Sequence, residues 1–522
     1  MSVLSPNRLK GKFKEFIEPQ LHLRVPFKAG IYQNSPRWSN KDLDPVPVEL
    51  RLWGPLDYWA YWCSDMLAPP LASTVSAVVS LGFTARQTIP IVFFGFAICS
   101  VVITLTGKMG ATYNIPYPVI VRSVFGMFAA GLLCFFLYWI AQTFLALMPI
   151  KKLRILFFVK AIVVPPTFLA LFLWAAIVTH GGGPLVNGPV KLTSSYMNTA
   201  YSALTGLNVI IGLFSSLAVN MPDFGRFSRD QFAGYHQFLA LPIIGTLGAL
   251  TPIFVTSAHQ YLWGSFQWYM PAVIEKFDSR AAKFFTAFSF MLATIGNQVA
   301  AGTYPFSNDV SGMYPKYINI FRATLIISIF CVVSTPWNII KNAAGLLSFL
   351  SGYSCLMGPL AGTMVCDYYL IKKQKLNVHE LYKDHGIYWY DHGFNWRAFA
   401  SFLCGFIPVL PGFAKSINTK MNIGGAWKVS ATPSLCVLRV AICRGPNDLS
   451  QIYTFAWLFG FTIAVLVYYV ICTYISPPTS AMVDVAVYPP QKGDVSPDGS
   501  GEEVEYDEKG GARGSAKEVS PV

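Results

Sequence analysis

Two consecutive prolines in the middle of an apolar stretch constrain this chain more than any other feature. Residues Asp57 to Leu81 are long enough to cross a bilayer, which takes roughly 20 mainly apolar residues. Yet Pro69 and Pro70 stand at the centre of that stretch, four residues after a carboxylate, Asp65. Proline removes a backbone donor and clashes with the preceding turn, so a helix must open or kink there. Open backbone at membrane depth persists only where protein or a watery cavity satisfies its polar groups. A broken span carrying an ionisable residue is therefore a candidate binding site, of the kind built by discontinuous helices in transporters.

The rest of the chain fits a polytopic, all-α membrane protein. Of its 522 residues 53% are hydrophobic and only 12% charged, where soluble domains carry about 25% charged residues. The net charge of +13 comes from basic residues dispersed among short inter-span segments, the positive-inside pattern and not a nucleic-acid-binding face. Several of the ten cysteines (Cys63, Cys99, Cys331, Cys355) fall inside apolar runs and none has metal-ligand spacing, so packed thiols are expected and no metal site. No nucleophile, metalloprotease or phosphate-loop motif stands out, which argues against an enzyme. The polar N-terminus carries no cleavable signal peptide, and the first span would act as its own insertion signal.

Candidate spans lie at about 57–81, 89–106, 125–149, 155–178, 203–221, 236–262, 284–303, 319–337, 344–370, 397–414 and 452–475, with ends good to roughly four residues. The expected organisation is a cytoplasmic segment 1–52, a transmembrane domain 53–475 and a disordered acidic tail 476–522. Residues 1–51 hold nine Lys/Arg and five acids, which places the N-terminus in the cytoplasm; the plasma membrane is the expected location. The stretch Arg37-Trp38 and Asn40–Pro45 reads either as a polar lead-in or as a cytoplasmic latch on the bundle. From Pro477 the chain has nine acids, four bases and much Gly, Ser and Pro, too little apolar matter to fold alone.

Threading the charges through eleven spans fails. With the N-terminus inside, Lys108 and Arg122 fall in the cytoplasm, but Lys151-Lys152-Leu153-Arg154 and nearly every later basic cluster land outside. One more span between Lys108 and Lys151 repairs all of these violations at once. A helix is expected to be missing between Lys108 and Lys151.

A second interruption follows. In Leu204–Pro222, Gly212 and the Ser215-Ser216 pair weaken a central turn, and Asn220-Met221-Pro222-Asp223-Phe224 ends it. Small residues of this kind mark either close helix packing or unwinding. Interrupted helices at corresponding places in two halves point to an inverted-repeat transporter.

Five pieces of the chain resemble the nucleobase:cation symporter-1 family in its fungal uracil/uridine/allantoin permease branch. They are Asn40–Pro45 with Arg51 and Trp53; Leu105–Tyr113; Leu217–Phe227; Asn308-Asp309 with Tyr314–Ile320; and Ser351-Gly352-Tyr353 through Gly358–Gly362 to Asp367-Tyr368. The resemblance implies twelve spans, the first ten forming two inverted five-helix repeats, and import of a nucleobase-like solute with a cation. It also implies a third span whose Trp-x-x-x-Gln pair stacks on and hydrogen-bonds the heterocycle. Here Arg122–Gly126 enters that span and the chain then jumps, near Ala129 to Leu132, into what resembles the fourth. Trp139 and Gln142 belong to that fourth segment and do not inherit the role. Residues 427–450 look inserted; their Cys436 and Cys443 match no common ligand spacing.

A nucleobase needs an aromatic face and a carboxamide or free backbone along its edge. By resemblance, Phe214 is the aromatic near the second break, beside Ser215, although a Phe there could equally be core. The family's eighth span matches the stretch Gly296-Asn297-Gln298 through Gly302, where Gly302 stands in place of a substrate-binding asparagine. Asn297 and Gln298 either take over that role or tie helices together. The positions that supply sodium-binding hydroxyls in relatives are Gly296 and Asn297 here, and hard cations want several oxygen ligands, so proton coupling is expected, with no cofactor. Asp65 is the expected proton carrier, because burial favours the protonated carboxyl, or else a structural acid at the break. Asp223 and Arg226 are expected to pair locally, and His259 to sit at a membrane interface. The partners are then a small heterocycle and the bilayer; nothing in the sequence sets an oligomeric state. Two functions follow: a proton-coupled importer of the uracil, uridine or allantoin class, or a non-transporting product of an incorrect gene model of that family.

Overall fold

The computed structural model describes residues 38–39, 43–126, 150–187, 196–297, 302–315, 317–333, 343–417 and 449–489, together with two paired two-residue strands, Glu505–Tyr506 and Ala512–Arg513. The expected insertion at 427–450, apart from its last two residues, lies outside these, as do Trp139, Gln142 and the place at 129–132 where a span is expected to be missing.

The described chain is a bundle of long apolar helices. Ala85–Tyr113, Ala233–Trp263, Leu346–Ile371, Trp396–Ala414 and Ile452–Ile475 are each long and apolar enough to cross a membrane. The pair Ala200–Phe214 and Leu217–Gly225, bent by 48°, passes the same test when taken together. The first broken helix consists of Pro55–Met66 and Pro69–Val79. Large side chains such as Phe94, Ile177, Leu247 and Phe285 point outward from the bundle, which suits a surface solvated by lipid tails.

Small residues let these helices cross closely. A Cβ on Gly110 would lie 2.5 Å from both Cα and O of Pro222, so the Ala85–Tyr113 helix meets the end of the second broken helix backbone to backbone. Gly358 and Gly362, one turn apart, do the same for Ala343–Val365 against Ala456–Val470: a Cβ on Gly362 would stand 2.5 Å from the Phe461 carbonyl oxygen. This is the small-xxx-small packing of membrane helices. Gly110→Ala is therefore expected to cost about 1–3 kcal/mol as an overpacked contact. A melting curve of the detergent-solubilised protein checks it; an unchanged Tm would mean that the two helices do not touch there.

One end of the bundle is closed by the segments that the sequence places in the cytoplasm. Arg122 donates from Nη1 to the carbonyls of Trp38 (2.9 Å) and Leu381 (3.2 Å), and the Tyr382 hydroxyl donates to Leu43 O at 2.7 Å. The Trp38 indole donates to Asp384 and crosses Trp389 edge-on. Trp38 and Leu43 are thus seated as a latch; Asn40 to Asp42 lie outside the described residues. Lys372 pairs with Asp367 at 2.6 Å and donates to the Ser123 carbonyl, which also accepts from the Tyr390 hydroxyl at 2.7 Å.

The stretch after the last span, expected to begin a disordered tail, is in place as far as residue 489. The backbone of Val487 bonds to Leu376 (2.9 Å) and Val378 (3.1 Å), and Tyr488 stacks on Tyr113 with ring centroids 5.4 Å apart. The Tyr113 hydroxyl in turn donates to Gln374 O at 2.6 Å. Backbone pairing and one aromatic stack hold a segment whose composition alone would not.

Candidate functional site

The first break lies two residues before the prolines. Pro69 and Pro70 occupy the first turn of Pro69–Val79, where a missing N–H costs nothing, and the chain opens at Leu67 and Ala68 instead. Ala68 is fully extended (φ −146°, ψ 155°), the conformation that a following proline imposes. In the second broken helix the opening falls at Ser215-Ser216. Gly212, expected as part of that break, stays helical; a Cβ there would lie 2.7 Å from Leu350 O, so it serves close packing against Ala343–Val365.

The two breaks face a common cavity of about 660 Å³. Pro69, Pro70, Ser73 and Thr74 line it from the first broken helix, and Phe214 and Ser216 from the second. Trp268 and Tyr269 stand at its wall ahead of the short helix Met270–Glu275, with Phe290, Thr294 and Asn297 from Arg280–Asn297 and Phe349 and Tyr353 from Ala343–Val365. Among the described lining residues none carries a charge. An apolar, aromatic-rich cavity with a few hydroxyls and amides suits a neutral flat solute.

The expected site residues separate into those that reach the cavity and those that do not. Phe214 reaches it, its ring held edge-on by Trp62 at 5.8 Å and tilted against Phe96 at 5.9 Å. Ser215 does not: it is buried and its hydroxyl donates to Gly212 O at 3.0 Å, so the neighbouring Ser216 is the serine that lines the cavity. Gly302 is buried in a π-turn ahead of Tyr304–Met313 and is not part of the lining. Gln298 lies outside the described residues. His259 sits in the last turn of Gln237–Trp263, against Trp263 and the Ser265 carbonyl, away from the cavity.

Asn297 does two things at once. It lines the cavity, and with its nitrogen turned inward it donates to both carboxylate oxygens of Asp65, at 3.2 Å to Oδ2. Asp65, in the last turn before the break, is only 2% exposed. A third helix joins them. Lys160, from Ile150–Val178, is 1% exposed and its amine has no hydrogen-bond partner, while electrostatically it faces Asp65. It passes over Gly296, where a Cβ would stand 2.7 Å from the lysine Cδ. Sequence reasoning overlooked Lys160, although an ionisable residue inside an apolar span is itself a signal.

Aromatic rings pack together around the end of the second broken helix. Tyr61 packs on Phe224 (5.1 Å) and Trp53 (5.7 Å), and Phe224 on Tyr304 (5.9 Å). Asp223 and Arg226, expected to pair locally, make separate hydrogen bonds. Asp223 accepts from the Tyr117 backbone N–H at 3.0 Å, and Arg226 donates to the Tyr304 hydroxyl at 2.6 Å.

Comparison with known proteins places these features in context. A family model described as permease for cytosine/purines, uracil, thiamine, allantoin matches in two segments, residues 45–132 and 129–431, which overlap at 129–132. The allantoin permease of Bacillus subtilis is 25% identical, covering 87% of this chain and 96% of its own. The uracil permease of Saccharomyces cerevisiae is 26% identical over 73% of this chain and 70% of its own. Among solved structures, Mhp1, a nucleobase-cation-symport-1 family transporter in a closed conformation with bromovinylhydantoin bound, superposes with a TM-score of 0.60. It is 16% identical and covers 85% of this chain and 98% of that one, a likeness of fold.

Proposed function

The chain belongs to the permease family for cytosine/purines, uracil, thiamine and allantoin, and on that premise we propose that it imports a neutral heterocycle of the uracil, uridine or allantoin class together with a proton by alternating access. The observation that carries the reading is the uncharged cavity at the meeting of two broken helices, with Phe214 in its wall. A flat solute stacks on Phe214 and meets the hydroxyls of Ser216 and Thr294 along its edge.

The proton reading rests on the Asp65–Asn297–Lys160 meeting point behind the cavity wall. The carboxylate and the amine are buried near one another, and neither takes part in an ion pair within 4.0 Å. Two buried charges outside ion-pair contact are costly, and moving a proton on or off Asp65 changes that cost. Because Asn297 also lines the cavity, substrate arrival and the charge on Asp65 are mechanically linked through one side chain. We place the protein in the plasma membrane with its N-terminus in the cytoplasm.

Uptake of radiolabelled uracil, uridine, allantoin and thiamine by cells lacking their own permeases tests the function. One member of the first three classes is expected to accumulate in a manner that an uncoupler abolishes and sodium removal does not. Accumulation of none, by this chain or by one with the third span restored, would remove the permease reading.

A further inference from the structure

The mechanism above leaves two buried acids unused. Asp223, on the short helix Pro222–Gly225, and Asp309, on Tyr304–Met313, are 0% and 1% exposed. One oxygen of each is satisfied: Asp223 Oδ1 by the Tyr117 N–H at 3.0 Å, and Asp309 Oδ2 by Nδ2 of Asn220 at 3.2 Å. The other two, Asp223 Oδ2 and Asp309 Oδ1, have no hydrogen-bond partner. Asn308, fully buried and next to Asp309 in sequence, directs its amide at the Asp223 carboxylate. Unsatisfied polar atoms this deep are expensive and call for an occupant.

The charges define what that occupant is. Asp223 and Asp309 face one another. Arg226 faces Asp223 and is tied to the Tyr304 phenol. The Tyr353 phenol faces Asp309, and Tyr382 from the cytoplasmic loop faces Arg226. Among the described groups, one guanidinium against two buried carboxylates leaves a single excess negative charge, so a single positive charge is missing. A hard metal cation would want about six oxygen ligands; three side-chain oxygens stand open here, those of Asp223, Asp309 and Asn308.

We propose that Asp223 and Asp309 hold one proton between them, a second proton site at the end of the second broken helix and separate from Asp65. Two carboxylates in one dry site cannot both stay ionised, and the bound proton turns one oxygen from acceptor to donor toward its neighbour. It comes from water and returns to water, with no other bond made or broken. The pair sits beside these aromatic rings, since Arg226 holds Tyr304, which packs on Phe224.

Infrared difference spectroscopy on the purified full-length chain in lipid nanodiscs at neutral pH tests this without requiring transport. It therefore stands or falls apart from the import reading. The expected result is a carboxylic-acid C=O band, shifted in D2O and indifferent to sodium, that survives Asp65→Asn and disappears in both Asp309→Asn and Asp223→Asn. Absence of the band in the Asp65→Asn protein overturns the proposal by itself, whether or not the other variants fold. Its persistence in either of them, or a carboxylate band that responds to sodium at fixed pH, overturns it as well.

Discussion

Restoring a complete third span between Ala129 and Leu132 is expected to raise heterocycle uptake well above that of the chain as written. The resemblance gives that span a Trp for stacking and a Gln for the edge of the ring. Stacking contributes about 0.5–1.5 kcal/mol and a hydrogen bond about 0.5–1.5 kcal/mol. Together they correspond to roughly a five- to 150-fold gain in affinity. Matched surface expression and competition uptake measure it; equal uptake by both chains would show that the site is complete as written.

The family match supports the same expectation, since it divides into two segments that meet at 129–132. Ser123 is bonded to Lys372 and Tyr390, and Tyr113 to Gln374, so residues 113–126 and 372–390 share one face of the bundle.

The second large effect concerns Asp65. In the chain with the restored span, Asp65→Asn is expected to abolish proton-driven accumulation. It is also expected to lower stability, because it leaves the Lys160 ammonium buried without the carboxylate that it faces. Adding Lys160→Met removes that charge, so the double variant should regain its melting temperature while accumulation stays lost. Recovery of accumulation in the double variant would make Asp65 a structural acid, and unchanged pH-dependent uptake in Asp65→Asn would remove it from coupling altogether.

What the sequence made legible was local chemistry. Pro69-Pro70 and Ser215-Ser216 announce breaks because proline and hydroxyl side chains act on their own backbone within one turn. The off-by-one errors come from the same locality: a proline pair opens the helix ahead of itself, and which of two serines faces a cavity depends on a bend that only the assembled helices fix. Gly212 reads alike whether it unwinds or packs, and it packs. The Asp65–Lys160–Asn297 meeting joins residues up to 232 positions apart, and that of Asp223 with Asp309 spans 86. No window along the chain contains such groups. Lys160 alone could have been flagged, as a lone cation in an apolar run.

The stack of Tyr488 on Tyr113 sets a clock on biogenesis. Translation must add 375 residues after Tyr113 before its partner exists. At synthesis rates of about 5–20 residues per second, that is roughly 20–75 s. Until then the Tyr113 ring and the Leu376–Val378 backbone wait uncovered at the membrane surface. A nascent chain released early would present that open edge to chaperones and quality-control proteases.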